Sequence, residues 1–277
     1  MMQTIGFIGA GNMAHAMIAA LINQGHNPQC IKISDTNAAL LSQRKAELAV
    51  EIFNSNNALA ERCDILLLAV KPQVLPDVCR QLSHSLSHNP LIISVAAGVK
   101  TAHINRWIGG NRAIVRAMPN TPALFNQGIS GAFANSAVST EQKALAETIL
   151  TATGACLWLD NEQLIDAVTA ISGSGPAYFF LMLEAMTQAG VSLGLDQSAA
   201  EKLSIQTALG SAIMAKQSTD SPQTLRQKVT SPNGTTEAAI KAFQQQQFEQ
   251  TVATAIQAAF ERAQVLGTEM GAIEPQQ

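Results

Sequence analysis

The chain has 277 residues, 47% of them hydrophobic but only 4% aromatic, and a formal net charge of −3. That length exceeds the usual single compact domain, so two domains are expected, with a large interior built mainly from Ala, Leu, Ile and Val. Lys and Arg are scattered rather than clustered, which leaves no basic stripe to replace counterions along a phosphate backbone and excludes nucleic acid as the expected partner.

Unbroken apolar runs such as Ile65 to Val70 are too short to cross a bilayer, and no charged leader precedes the first strand pattern. The chain therefore reads as soluble and cytoplasmic, with no membrane partner. The first half alternates short apolar runs with amphipathic stretches. Strands are expected at Thr4–Ile8, Ile31–Ser34, Ile65–Val70 and Leu91–Val95, and helices at Met13–Asn23 and Ala38–Leu48. This alternation calls for a parallel sheet with helices on both faces. Ile65 to Val70 reads ILLLAV, apolar at every position, as a central strand covered on both faces should be.

Runs at Ala113–Met118, Ile129–Phe133 and Ala155–Leu159 extend the sheet, and Thr140–Leu150 reads as a helix. From Gln163 onward only helical spacing survives, with helices expected at about 163–171, 176–193, 197–216, 222–229, 235–246 and 248–269. The boundary falls near Asp160, giving a dinucleotide-binding domain at 1–160 and a helical domain at 161–277. Ser172-Gly-Ser-Gly-Pro176 reads as a turn that breaks one helix and starts the next.

Cysteines at 30, 63, 79 and 156 form no Cys-x-x-Cys pair, and the histidines form no His-Glu-x-x-His, so reduced structural thiols and no metal are expected. His84 and His88, four apart among serines, read as a solvated surface.

Gly9-x-Gly11-x-x-Ala14 stands directly after the first strand and before an amphipathic helix. In that setting Gly9 permits the tight turn, Gly11 admits a pyrophosphate to the backbone, and Ala14 lets helix and strand pack closely. The anion meets the helix amino terminus, where free N–H groups favour negative charge. Asp35, ending the second strand, stands where a carboxylate grips the ribose hydroxyls of NAD, and it equally suits a helix cap. Ser34, Thr36 and Asn37 suit a phosphate instead, with Arg44 and Lys45 one helix further on, so NADH and NADPH both stay open.

Val70-Lys71-Pro72 and Ala96-Ala97-Gly98 follow successive strands and line the carboxyl edge of the sheet, where a nicotinamide belongs. The Lys71 side chain reads as solvated, the backbone of its turn being the part that counts. Met118-Pro-Asn-Thr-Pro122 is a rigid turn placed to present Asn120 to nicotinamide or substrate. In the helical half, Val229-Thr-Ser-Pro-Asn-Gly-Thr-Thr-Glu237 gathers hydroxyls of Ser231, Thr235 and Thr236 around Gly234 at a helix start, a second anion cradle in form.

Six segments, GFIGAGNMA (6–14), AVKP (69–72), SVAAGV (94–99), RAMPNTP (116–122), SGSGPAY (172–178) and VTSPNGTTEAAI (229–240), run in the order of one family that the chain closely resembles: pyrroline-5-carboxylate reductase. The resemblance implies an α/β Rossmann-type dinucleotide-binding domain followed by an all-α dimerisation domain. It also implies a homodimer of intertwined helices, often gathered into larger rings such as a decamer. The implied activity is reduction of 1-pyrroline-5-carboxylate to L-proline with NADPH or NADH.

By the same resemblance Gly9, Gly11, Asn12 and Met13 hold the pyrophosphate, and Ser34 and Asp35 with Asn56 meet the adenosine ribose. Val70, Lys71, Pro72, Ala97 and Gly98 frame the nicotinamide. Ser231, Asn233, Gly234 and Thr235 bind the substrate carboxylate, with Asn120 nearby, and Thr236 is the catalytic contact to the ring nitrogen. Asp35 departs from the small or basic residue of many NADPH-using members, and Asn233 replaces a commoner glycine, although Asn also tolerates positive φ.

Hydride addition to an iminium needs little acid catalysis, which suits turns that hold no His, Glu or Cys placed for proton transfer, so positioning is expected to dominate. A hydroxyacid dehydrogenase would need a lysine in the long helix opening the second domain, and Gly175 to Gly190 has none. A sensor that binds dinucleotide without turnover would lack the second cradle. The active site is expected to draw on both domains and on the dimer.

Overall fold

The structure, a computed structural model, describes residues 3–273. Its first elements are β1 (Ile5–Ile8), α1 (Asn12–Asn23), β2 (Ile31–Ser34), α2 (Ala38–Leu48), β3 (Glu51–Phe53), α3 (Asn56–Ala60), β4 (Ile65–Leu68), α4 (Leu75–Leu82), β5 (Leu91–Ser94) and α5 (Thr101–Trp107). There follow β6 (Ile114–Met118), β7 (Gly128–Ala134), α6 (Thr140–Thr151) and β8 (Gly154–Trp158). The strands make one sheet in the order β3-β2-β1-β4-β5-β6-β7-β8, parallel except where β6 meets β7. Strand order reverses between β1 and β4, so the turns after these two strands face one crevice at the carboxyl edge.

β1, β4 and β5 are buried at every position because helices cover both faces of the sheet. Side chains alternate between the faces. Phe7, Ile33, Leu67 and Ile93 pack with Met17, Ile18 and Leu21 of α1, whereas Ile8, Leu66, Leu68 and Ile92 pack with Leu75, Cys79 and Leu82 of α4 and Ile104 of α5.

The remaining elements are α7 (Leu164–Val168), a π-helical turn (Thr169–Gly173), α8 (Gly175–Ser192), α9 (Gln197–Gln217), α10 (Pro222–Lys228), α11 (Thr235–Gln245) and α12 (Phe248–Gly271). Contacts divide the chain into one unit up to Ser174 together with the residues from Ala259 onward, and a second unit of Gly175–Ala258. In the second unit Gly190 lets α8 approach Ala200 of α9 closely. Phe179, Phe180 and Leu181 of α8, and Leu203, Leu209 and Met214 of α9, are exposed.

The expected interruption at Ser172–Pro176 is present but compact: the π-helical turn ends at Gly173, Ser174 is a bend, and α8 starts at Gly175 with Pro176 in its first turn. Taken across that bend, Leu164–Ser192 covers 29 residues, long and apolar enough by length and composition to span a bilayer. Ser174 N–H donates to Thr169 O across five residues, so the serine and glycine cluster closes a π-turn where one helix gives way to the next.

Candidate functional site

Gly9 leaves β1 at φ +105, and a Cβ there would lie 2.6 Å from Ala69 O, so only glycine fits this turn. Gly11 is different. Its φ of −65 and ψ of −178 suit any residue, and an added Cβ would meet no atom within 4 Å. The missing side chain therefore leaves space in front of α1. That helix opens without a capping side chain and without an acidic residue in its first turn, so its free N–H groups face the space unpartnered by a cap. Asn12 is exposed, Met13 half-buried and Ala14 buried against the sheet. These features fit a diphosphate.

Beside the loop lies a cleft of about 290 Å³ lined by Ser34, Asp35, Thr36, Asn54, Ser55, Asn56, Asn57 and Gln81. Ser34 is buried and its hydroxyl donates to Asn56 Oδ1 at 2.7 Å. Asn57 Oδ1 is buried without a hydrogen-bond partner, an acceptor suited to a ligand hydroxyl or amine. Asp35 accepts Ala10 N–H on Oδ2 at 2.7 Å and Asn37 N–H on Oδ1 at 2.9 Å. The cap of α2 is Asn37, which accepts Leu40 N–H, so Asp35 does not cap the helix. Arg44 is buried under the loop rather than directed into the cleft, and Lys45 is exposed.

On the nicotinamide side, Val70 and Pro72 are half-buried and Lys71 is exposed. Ala97 is half-buried. Gly98 is buried at φ +75, where a Cβ would sit 3.3 Å from the Leu266 backbone, so α12 supplies a packing reason for this glycine that its own segment does not reveal.

Asn120 is buried at 9% exposure with both ends of its amide on protein. Nδ2 donates to Ser172 O at 3.1 Å and Oδ1 accepts Ile129 N–H at 2.9 Å. In an unbroken α-helix Ser172 O would receive the N–H of residue 176, which is proline and has none. Asn120 replaces that donor. Arg116, in the same segment, was not singled out from sequence. It is 2% exposed, 3.3 Å from Asp166 and 3.6 Å from Glu162, and Glu162 also accepts the Thr101 N–H and hydroxyl. An arginine inside the apolar strand IVRAM was the available signal.

The second cradle opens α11. Gly234 is the N-cap and contributes no capping side chain. Asn233 adopts φ +58, the left-handed conformation that asparagine tolerates. Gly234 N–H turns back to Ser231 O at 3.1 Å, so the outward N–H groups are those of the first helical turn, beginning at Thr235. Ser231 and Thr235 are exposed and Thr236 is half-buried. Glu237, the first turn's carboxylate, accepts Asn233 N–H at 2.8 Å and pairs with Lys241 at 3.2 Å. Those contacts, the backbone N–H foremost, hold its pKa below the ordinary carboxylate value.

His84 and His88 are exposed, and His88 Nε2 lies 2.9 Å from Cys63 O. Among the described residues no three His, Cys, Asp or Glu side chains cluster as metal ligands would.

Residues 162–266 match the family model for pyrroline-5-carboxylate reductase dimerisation, and residues 4–98 match that for NADP oxidoreductase, coenzyme F420-dependent. The chain is 49% identical to the pyrroline-5-carboxylate reductase of Pseudomonas aeruginosa over 96% of this chain and 98% of that protein. A solved pyrroline-5-carboxylate reductase from Coxiella burnetii matches with a TM-score of 0.92 at 42% identity, over 96% of this chain and 99% of that one. Plasmodium falciparum pyrroline carboxylate reductase, solved with NADP bound, matches with a TM-score of 0.85 at 30% identity, over 96% and 98%. The chain belongs to the pyrroline-5-carboxylate reductase family.

Proposed function

We propose that this protein reduces 1-pyrroline-5-carboxylate to L-proline with hydride from NADPH or NADH. The observation that carries the reading is a pair of helices, α1 and α11, that each begin at an N-cap glycine with no capping side chain. Each is a seat for an anion, one for a diphosphate and one for a small carboxylate. Residues 1–160 serve the dinucleotide, and 161–277 serve dimerisation and substrate.

The dinucleotide, when bound, supplies the hydride. Gly9, Gly11, Asn12 and Met13 receive the diphosphate, Ser34, Asp35 and Asn56 border the adenosine ribose, and Val70, Lys71, Pro72, Ala97 and Gly98 frame the nicotinamide. Ser231, Asn233, Gly234 and Thr235 hold the carboxylate, and Thr236 orients the ring nitrogen and relays its proton. The iminium carbon is already electrophilic, so positioning supplies most of the rate. Glu237 is unsuited as the acid, because its hydrogen bond from Asn233 and its pairing with Lys241 favour the ionised form. The apolar side chains of α8 and α9 meet a second copy of the chain rather than lipid, and the dimers join into a larger ring in the cytoplasm.

Dinucleotide oxidation followed by absorbance on adding 1-pyrroline-5-carboxylate, with proline measured as product, tests the activity. Thr236→Ala lowers kcat while cofactor affinity stays near wild type. Unchanged turnover in that variant removes Thr236 from the mechanism.

A further inference from the structure

We propose that Asp35 and Arg44 are positioning residues that brace the diphosphate loop at Ala10, and that neither reads the 2′ substituent of the cofactor. The proposal rests on the assignment of Gly9–Ala14 to the diphosphate.

Ala10 is fully buried, so its side chain offers nothing to a ligand, yet both peptide units that flank it are held by charged groups. Its N–H donates to Asp35 Oδ2 at 2.7 Å. Its carbonyl accepts from Arg44 Nε at 3.2 Å, and this arginine is 7% exposed. The Ala10 carbonyl shares a planar trans peptide with the Gly11 N–H, and the two point in opposite directions. Holding the carbonyl inward on Arg44 therefore aims the Gly11 N–H outward, to the side where Gly11 lacks a side chain. The guanidinium also polarises that peptide and makes its N–H a better donor.

Both charged residues are already engaged by other partners. Asp35 Oδ1 is taken by Asn37 N–H at 2.9 Å, so each carboxylate oxygen has a backbone partner. Arg44 Nη1 pairs with Glu47 at 2.8 Å, and Glu47 is held further by Gln43 Nε2 at 2.8 Å. Apart from Asp35, the adenosine-side cleft is lined by Ser34, Thr36, Asn54, Ser55, Asn56, Asn57 and Gln81, all neutral. Any choice between NADH and NADPH therefore lies with those hydroxyls and amides.

The test titrates NADH and NADPH separately into wild type, Asp35→Asn, Arg44→Met and Gly11→Val, with circular dichroism confirming that each folds. Asp35→Asn and Arg44→Met each raise Kd for both dinucleotides together, by about tenfold or more, as loss of a charge-assisted hydrogen bond to the loop requires. Their ratio of the two affinities stays within about threefold of wild type. A ratio shifted by about tenfold, with one dinucleotide alone affected, overturns the proposal, as does an unchanged Kd for both. Should Asp35→Asn fail to fold, Arg44→Met decides by the same ratio. Gly11→Val separates the two levels of the argument, since its backbone suits any residue and its side chain enters only the open space. If Gly11→Val still binds dinucleotide, the loop assignment itself falls. If it alone loses binding, the loop stands and the brace is refuted.

Discussion

Replacing Asn120 with alanine removes two hydrogen bonds from a site 9% exposed and leaves Ser172 O and Ile129 N–H without partners. A buried polar group left unpaired costs about 1–3 kcal/mol, so two of them, with some relief from local relaxation, cost about 2–4 kcal/mol. Asn120→Asp keeps the bond from Ile129 but sets a second acceptor against Ser172 O, so it is destabilising by repulsion rather than by loss alone. Both tryptophans, Trp107 and Trp158, lie in the first unit with Asn120, and urea unfolding followed by their fluorescence reads this effect. Both variants unfold at lower urea. A midpoint shift worth less than about 0.5 kcal/mol in Asn120→Ala, together with a raised KM for substrate, refutes the structural role and returns Asn120 to ligand binding.

Burial lowers the pKa of His15, His26 and His103 below the ordinary 6.5, helped by Arg44 at His15 and Arg106 at His103. The unfolded chain then binds more protons than the folded one, so stability falls as pH drops through 6.5 toward the folded values. Urea midpoints at about pH 7.5 and about pH 5.5 check the sign: the lower pH gives the lower midpoint, with a smaller difference in His103→Gln, and a flat or rising profile contradicts it. Burial pushes the thiols of Cys63 and Cys79 up to about 12 and that of Cys156 to about 11. Ellman's reagent at neutral pH therefore leaves Cys63 and Cys79 unmodified until urea is added, and prompt labelling of both in the folded protein contradicts the burial argument. Gly154→Ala drives a Cβ to 1.9 Å from Gly128 O where β7 meets β8, at φ +143, and abolishes soluble expression or lowers the thermal midpoint sharply.

Local features were legible where neighbouring residues alone decide them. The bounds of β2 and α2 follow directly from the switch between apolar run and amphipathic spacing, and Gly9, Gly11 and Ala14 stand at a spacing whose geometry is nearly context-free. β3 was missed because Glu51–Phe53 is three half-buried residues at the sheet edge, too short for alternation to register. α3, α4 and α5 were missed as well. Two of them have five and seven residues, and α4 carries a proline in its first turn that reads as a breaker.

The π-turn before α8 was not legible for a different reason. A proline preceded by Ser-Gly-Ser-Gly marks the start of α8, but nothing nearby in the chain shows that Asn120, 52 positions earlier, donates to the carbonyl that the proline leaves unsatisfied. Arg44 and Asp35 likewise gain their meaning from Ala10, 34 and 25 positions away, contacts that spacing along the chain does not encode.

Direct hydride transfer is the central claim, and deuterium tests it most simply. Dinucleotide carrying deuterium at both hydrogens of C4 of the reduced nicotinamide, turned over with 1-pyrroline-5-carboxylate, yields proline with a single deuterium on the ring carbon next to nitrogen and away from the carboxylate. Proline free of label, or oxidation of the dinucleotide without proline, contradicts the account.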